Sequence, residues 1–264
     1  MKPDTNTKTE EFSFDGILDF VEKNPQENTH ETDGFIWGPQ LNIVFLLDTS
    51  GSMTCQGGRR INQLNAAMAI ALDELYDVSL KEEINIAIRA IAFNNNASWV
   101  MGNAEKGVNV LEARNNWQDL SAGGATNTAD AIRLARSAMR SRYLGIDSYC
   151  PVVILITDGM SNDPQDTRNA IEELREALSG GDPNKKDKVW RFAIGVENYD
   201  EQELINFATI GDTEDEFGNL TEDIPMVFSV EEITKCVQTV RAVTIGSVLS
   251  SLHSRNGKPC INIF

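Results

Sequence analysis

Histidine is scarce in this 264-residue chain: there are two, His30 and His253, both near its ends. That leaves the centre of the sequence without the usual imidazole acid, base or metal ligand. The four cysteines, at 55, 150, 236 and 260, are scattered and show no Cys-x-x-Cys spacing, so neither a zinc site nor a disulfide framework is expected. Cys55 is read as a passive small residue rather than a reactive thiol. Positive charge is also in short supply. Lys and Arg total 23 against 40 Asp and Glu, a net charge of −17, with no cluster of five basic residues. Recognition of nucleic-acid phosphates is therefore not expected. No apolar run approaches the roughly 18 residues of a membrane span, and Met1 to Glu11 is polar and acidic, without a signal pattern. The expectations are no membrane contact, reduced thiols and a cytoplasmic location.

With 41% hydrophobic residues, the chain can bury one substantial core. The expected organisation is an acidic, partly mobile extension over 1–38, one domain over 39–252 and a tail over 253–264. Within the extension, Phe12 to Val21 carries apolar residues at helical spacing and is expected to dock on its own domain. Leu41 to Leu47 is too short and too uniformly apolar for an amphipathic helix, and reads as a strand buried on both faces of a parallel sheet. Arg59–Asp77, with Ile61, Leu64, Met68, Leu72 and Leu75 on one face, reads as a helix. Ile84–Phe93 reads as a strand, Asn94-Asn95-Asn96 as a turn and Ser98–Met101 as a short antiparallel edge strand. A short helix and loop are expected over 103–120. A helix with Ile132, Ala135, Met139 and Tyr143 inward follows, then a buried strand from Pro151 to Thr157 and a helix opened by Pro164. The remaining expectations are a strand over Val189–Val196, a helix over Asp200–Ile210 and a short strand over Met226–Phe228. Ser229 and Glu232 form a capping box for a last helix bearing Val237, Val240, Val248 and Leu252. Asp212 to Glu216 is expected on a solvated surface. Alternating strands and helices give an α/β fold, a Rossmann-like doubly wound and mostly parallel sheet with helices on both faces.

The chemistry gathers at strand ends. Asp48, Ser50 and Ser52 follow the first strand, at the edge where open α/β sheets bind ligands. Thr126 lies in the small-residue loop Ser121–Thr128, and Asp158 follows the Val152–Thr157 strand. If these two strands are neighbours, two carboxylates, two serines and a threonine converge into an incomplete octahedral shell of hard oxygens. Such a shell suits Mg²⁺ or Mn²⁺ better than Ca²⁺. Without a metal, Ser50 and Ser52 would simply satisfy a turn and cap the next helix.

Asp48-x-Ser50-x-Ser52, then Gly123-Gly124-x-Thr126-x-Thr128, then Thr157-Asp158-Gly159, in this order, resembles a von Willebrand factor A (VWA) domain with a metal-ion-dependent adhesion site (MIDAS). The likeness covers about residues 40 to 250. Leu46 to Met53 and Ile156 to Gly159 resemble most the bacterial, cytoplasmic TerY-like members, which are associated with tellurite resistance and stress operons. The resemblance implies that Ser50 and Ser52 bind the ion directly, that Thr126 does so when ligand is engaged, and that Asp48 and Asp158 act largely through waters. It implies an acidic side chain of a partner protein at the open coordination position, and as partners a kinase, a phosphatase or a MoxR-type ATPase of the same system. The Phe12–Val21 segment and the Cys260–Phe264 end are candidate contacts. Ala125 before Thr126, and Met160-Ser161-Asn162-Asp163 after the Asp-Gly turn, depart from the family pattern and alter the rim that meets the partner.

An enzyme, such as an Mg²⁺-dependent phosphohydrolase with Asp48 as nucleophile, is the contrasting reading. Both histidines lie away from the site and no second aspartate stands at position 50, so a non-enzymatic binding module is expected. Gly57-Gly58-Arg59-Arg60 lacks the Lys-Ser/Thr of a nucleotide loop. A fold that has lost its metal and serves as a scaffold is the third reading.

Overall fold

The computed structural model describes residues 39–145, 148–181, 188–197, 199–214, 220–230, 235–253 and 258–262. The Phe12–Val21 segment, Glu232 of the capping box and the last residues of the chain lie outside them.

The centre is β1 (Gln40–Asp48), every residue of which from Leu41 onward is buried. It lies between β2 (Asn85–Phe93) and β5 (Val152–Thr157), parallel to both. On β2's other side run two antiparallel strands, β3 (Ala97–Met101) and β4 (Val108–Asn109). Beyond β5 come β6 (Trp190–Val196) and β9 (Val227–Val230), also parallel. The order is β3-β2-β1-β5-β6-β9, with β4 on β2. A strand covered on both faces has no solvent side to mark with polar residues, which is why β1 and β5 read as continuous apolar runs.

Helices cover both faces. Leu41, Ile43, Phe45 and Leu47 share one core with Leu64, Met68, Leu72 and Leu75 of α1 (Cys55–Lys81), Val110 and Ala113 of α2 (Val110–Asn116), and Val240 and Val248 of α7 (Cys236–His253). Val44 and Leu46 point the other way. They join Ile132 and Ala135 of α3 (Thr128–Ala138), Ile171 and Leu174 of α5 (Pro164–Arg175), and Leu204 and Phe207 of α6 (Glu201–Phe207). Each fully buried Leu, Ile or Phe contributes about 1.5–3 kcal/mol. The sheet held between these two layers is the platform for the loops at its carboxyl edge.

Three local expectations are adjusted. The helix that carries Ile132 stops at Ala138; Arg140 is extended, and Tyr143 belongs to a separate turn, α4 (Ser141–Leu144). The helix expected over 200–210 ends at Phe207. Thr209 bonds the β6 backbone, its N–H donating to the Arg191 carbonyl at 2.9 Å and its hydroxyl accepting the Arg191 N–H at 3.0 Å, which draws the chain out straight. It continues into a second, three-stranded sheet of β7 (Ile210–Glu214), β8 (Leu220–Pro225) and β10 (Cys260–Asn262), in the order β10-β7-β8. Asp212, expected on a solvated surface, is buried in β7, where Lys258 Nζ meets it at 2.8 Å and Asp223 at 2.9 Å.

Candidate metal centre

The register of the sheet explains why distant parts of the sequence meet. Leu47 stands opposite Ile156, so Asp48 ends its strand beside Thr157. The Thr157 hydroxyl donates to Asp48 Oδ2 at 2.5 Å, and the Ser50 N–H donates to Oδ1 at 2.7 Å. Asp48 is wholly buried. Burial pushes its carboxyl above the usual range, the bonds from Ser50 and Thr157 pull it back in part, and the charge of Asp158 adds to the rise. After Asp48 the chain turns through a 3₁₀ segment, Gly51–Thr54, anchored by the buried Met53. That turn sets the Ser50 and Ser52 hydroxyls 2.9 Å apart, and Ser52 donates to Asp158 Oδ1 at 2.6 Å.

The Thr126 loop is clasped to the first loop by backbone bonds. Gly51 N–H donates to the Gly124 carbonyl and Gly123 N–H to the Thr49 carbonyl, both at 2.8 Å. Gly124 has a φ of +92°, and a Cβ there would stand 2.9 Å from the Asn95 side chain, so the position needs glycine for two separate reasons. Asn95 Oδ1 accepts the Ala125 N–H at 2.7 Å, and the Asn94 carbonyl accepts the Asn127 N–H at 2.8 Å. The Asn94–Asn96 turn is therefore a cradle for the Thr126 loop. The third loop closes in from Gly159, whose Cβ position lies 3.6 Å from Ser52 Oγ and 3.8 Å from Thr126 Oγ1.

All five residues expected from the sequence thus gather at one edge: Ser52 bonds Asp158, the Ser50 and Ser52 hydroxyls touch, Asp48 holds the Ser50 N–H, and Thr126 borders Gly159 beside them. The donors are hydroxyl and carboxylate oxygens only. That set fits Mg²⁺ or Mn²⁺, which take few carboxylates and keep some waters. Among the described residues no group of three or more His, Cys, Asp or Glu is placed to hold a metal, so this edge differs from a His/Cys zinc cluster.

Two charged neighbours escaped the sequence reading. Arg60 of α1, 8% exposed, donates through one terminal nitrogen to Asp158 Oδ2 and to the Ser52 carbonyl at 3.4 Å, and through Nε to Glu197 Oε2 at 2.6 Å. Burial lowers the pKa of this guanidinium, but the bonds to Asp158 and Glu197 outweigh burial and raise it. Glu203 of α6 accepts the Ser161 N–H at 3.1 Å. Burial pushes its carboxyl up, and this hydrogen bond opposes the rise. Only the pair Arg59-Arg60 marked the first in the sequence, and nothing marked the second. Met160, beside Asp158 on the rim, is 60% exposed.

A family model described as "von Willebrand factor type A domain" matches residues 42–225, and the chain belongs to this family. Among curated relatives, inter-alpha-trypsin inhibitor heavy chain H4 of Sus scrofa is 31% identical over 144 residues, 53% of this chain and 14% of that protein. The uncharacterized protein YfbK of Escherichia coli is 27% identical over 184 residues, 66% of this chain and 27% of that protein. The chain therefore spans well under a third of the length of these relatives. A von Willebrand factor type A structure from Catenulispora acidiphila superposes with a TM-score of 0.57 at 18% identity, covering 79% of this chain and 42% of that one. Proximal thread matrix protein 1 of the mussel byssus, solved with a zinc-occupied MIDAS motif, gives 0.53 at 19% identity over 78% of this chain and 45% of that one. At these identities the likeness is one of fold. Among the described residues, no helix is long and apolar enough to cross a membrane.

Proposed function

We propose that this chain is a metal-dependent protein-interaction module. Asp48, Ser50, Ser52, Thr126 and Asp158 hold Mg²⁺ or Mn²⁺, and an aspartate or glutamate of a partner protein completes the coordination. The observation that carries the reading is that three loops meet at one point: the Ser50 hydroxyl lies on that of Ser52, Ser52 lies on Asp158, and the Ser52 and Thr126 hydroxyls both border Gly159. A bound ion supplies a Lewis-acidic position for an outside carboxylate. The chain's own residues do the rest. Asp48 fixes the Ser50 loop through its N–H, Thr157 fixes Asp48, and the Asn94–Asn96 turn fixes Thr126.

An enzymatic role for Asp48 has less support. Its carboxylate is fully buried and both its oxygens already accept hydrogen bonds, whereas a nucleophile needs a free oxygen facing substrate. The finer placement is a TerY-like component of a bacterial, cytoplasmic stress-response assembly, with a kinase, phosphatase or MoxR-type ATPase as partner. It rests on the sequences around Asp48 and Asp158, and the similarity to an Escherichia coli protein agrees with a bacterial setting.

Calorimetric titration of Mg²⁺ and Mn²⁺ into chelator-treated protein tests the reading, beside the double variant Asp48→Ala/Ser50→Ala. Saturable binding in the parent alone is the expected result, followed by partner capture that chelator abolishes. Equal behaviour of parent and variant would leave the domain as a metal-free scaffold.

A further inference from the structure

The guanidinium of Arg60 is a charged group in direct contact with a candidate ligand, and the metal reading gives it no task. It is nearly buried and held on two sides. One terminal nitrogen lies on Asp158 Oδ2, while Nε and the other terminal nitrogen lie on Glu197 Oε2. Glu197 in turn is fixed at the end of β6, its N–H donating to the Val230 carbonyl at 2.8 Å. Asp158 therefore has both oxygens engaged, Oδ1 by the Ser52 hydroxyl and Oδ2 by Arg60. An ion drawing directly on Oδ2 would compete with a cation that α1 and Glu197 keep in place. Two cations sharing one carboxylate oxygen oppose each other by Coulomb's law, and burial strengthens the opposition.

We propose that Arg60 is a positioning residue of the metal site: it keeps Asp158 Oδ2 from coordinating the ion directly and so sets the metal affinity, with Glu197 as its anchor. This inference rests on the metal-site reading above. Its chemical consequence is an ion with less direct negative charge around it, left more receptive to a partner's carboxylate. Glu197 acts by dividing the guanidinium. When Glu197 is neutral, the whole positive charge falls to Asp158 and the metal is held less well.

The test is Mn²⁺ calorimetry on the full chain as parent, R60Q, R60K, E197Q and the R60Q/E197Q double variant, with metal-free melting temperatures alongside. R60Q is expected to bind Mn²⁺ about tenfold tighter, the effect of removing a unit charge several ångströms from a divalent ion in a water-like dielectric. R60K keeps the charge and stays within about twofold of the parent. E197Q is expected to bind about threefold more weakly, yet to change nothing when added to R60Q. That non-additivity separates an anchor from a distant charge, whose effect would persist in both backgrounds. Affinity in R60Q that is equal to or weaker than the parent's, at an unchanged melting temperature, overturns the proposal, and so does an additive double variant. If R60Q does not fold, E197Q and R60K decide: unchanged affinity in E197Q overturns the proposal. Absence of Mn²⁺ binding in the parent and every variant overturns the metal-site reading and this inference with it. Binding that is the same throughout overturns this inference alone.

Discussion

Two of the buried arginines that serve this sheet are partnered in opposite ways. Arg60 at the carboxyl edge lies between two carboxylates, Asp158 and Glu197. Arg89 in β2 is wholly buried and reaches back toward the amino-terminal half of β1. Its hydrogen bonds go to neutral oxygens: Asn42 Oδ1 at 2.8 Å, the Asn103 carbonyl at 2.9 Å and the Tyr143 carbonyl at 3.4 Å. Burial lowers its pKa to about 10, which still leaves it charged at neutral pH. Asn42 extends that network by donating to the Leu144 carbonyl at 2.9 Å. Arg89 therefore acts as a brace that ties the loop after β3, α4 and β1 through neutral oxygens, with no carboxylate among those bonds. Arg60 acts on charge. The lesson is that a buried cation beside carboxylates is a candidate for tuning a site, whereas one among carbonyls is part of the frame. The cavity of about 940 Å³ at the opposite end of the sheet, bordered by Tyr149, Cys150 and Trp190, contains none of the five candidate ligands.

The comparison is broken most directly at Arg89. Arg89→Ala would remove the bonds to Asn42, Asn103 and Tyr143 and leave a void where the wholly buried side chain stood, at a cost of about 3 kcal/mol or more. Urea unfolding measures it, and a loss below about 1 kcal/mol would mean that the brace is dispensable. A smaller stability loss is expected from Gly124→Ala, about 2 kcal/mol, since it combines a positive φ with a clash on Asn95. Unlike Arg89→Ala, it is also expected to weaken Mn²⁺ binding severalfold by moving Thr126, which calorimetry reads separately. Next in size is the ion itself. At ten times its dissociation constant Mg²⁺ should add about 1.4 kcal/mol to the parent; chelator should remove that gain, and Asp48→Ala/Ser50→Ala should never show it.

The smallest expected effect sharpens the comparison through pH. Glu203 has a folded-state pKa raised by burial. Between its unfolded and folded values the native state holds the extra proton, so stability falls as pH rises through that window. Glu203→Gln keeps an oxygen for the Ser161 N–H and removes the charge. The variant is expected to be slightly more stable than the parent at neutral pH, with the difference vanishing below the ordinary glutamate pKa. Parallel pH–stability curves would show that Glu203 is solvated rather than held.

The five candidate ligands were legible in the sequence because each sits at the end of an apolar strand or in a glycine loop, and strand-end oxygens meet at one edge once β1 and β5 are paired. The pairing itself was only a condition in the sequence, and the sheet supplies it by setting β1 beside β5. Arg60 was not legible, because an arginine one turn into a helix normally faces water and only the closure of β6 beside β5 brings Glu197 to it. The Asn94–Asn96 turn was visible, but its work as a cradle for Ala125 and Asn127 was not, since that contact spans two loops about 30 residues apart. The second sheet was hidden for a different reason. Ile210–Glu214, Leu220–Pro225 and Cys260–Asn262 are short and rich in polar residues, and a strand of three residues carries no period to detect.

The bonds that join the separate loops of the metal edge are far from local along the chain. Asp48 and Thr157 are 109 positions apart, Ser52 and Asp158 are 106, and Arg60 and Glu197 are 137. Such contacts form only after long loops have closed, late in the assembly of a parallel sheet. An ion gripped there has nothing to hold in the early, partly closed chain. It should leave the refolding rate nearly unchanged while lengthening the lifetime of the finished molecule, acting as a clasp fastened last and released first.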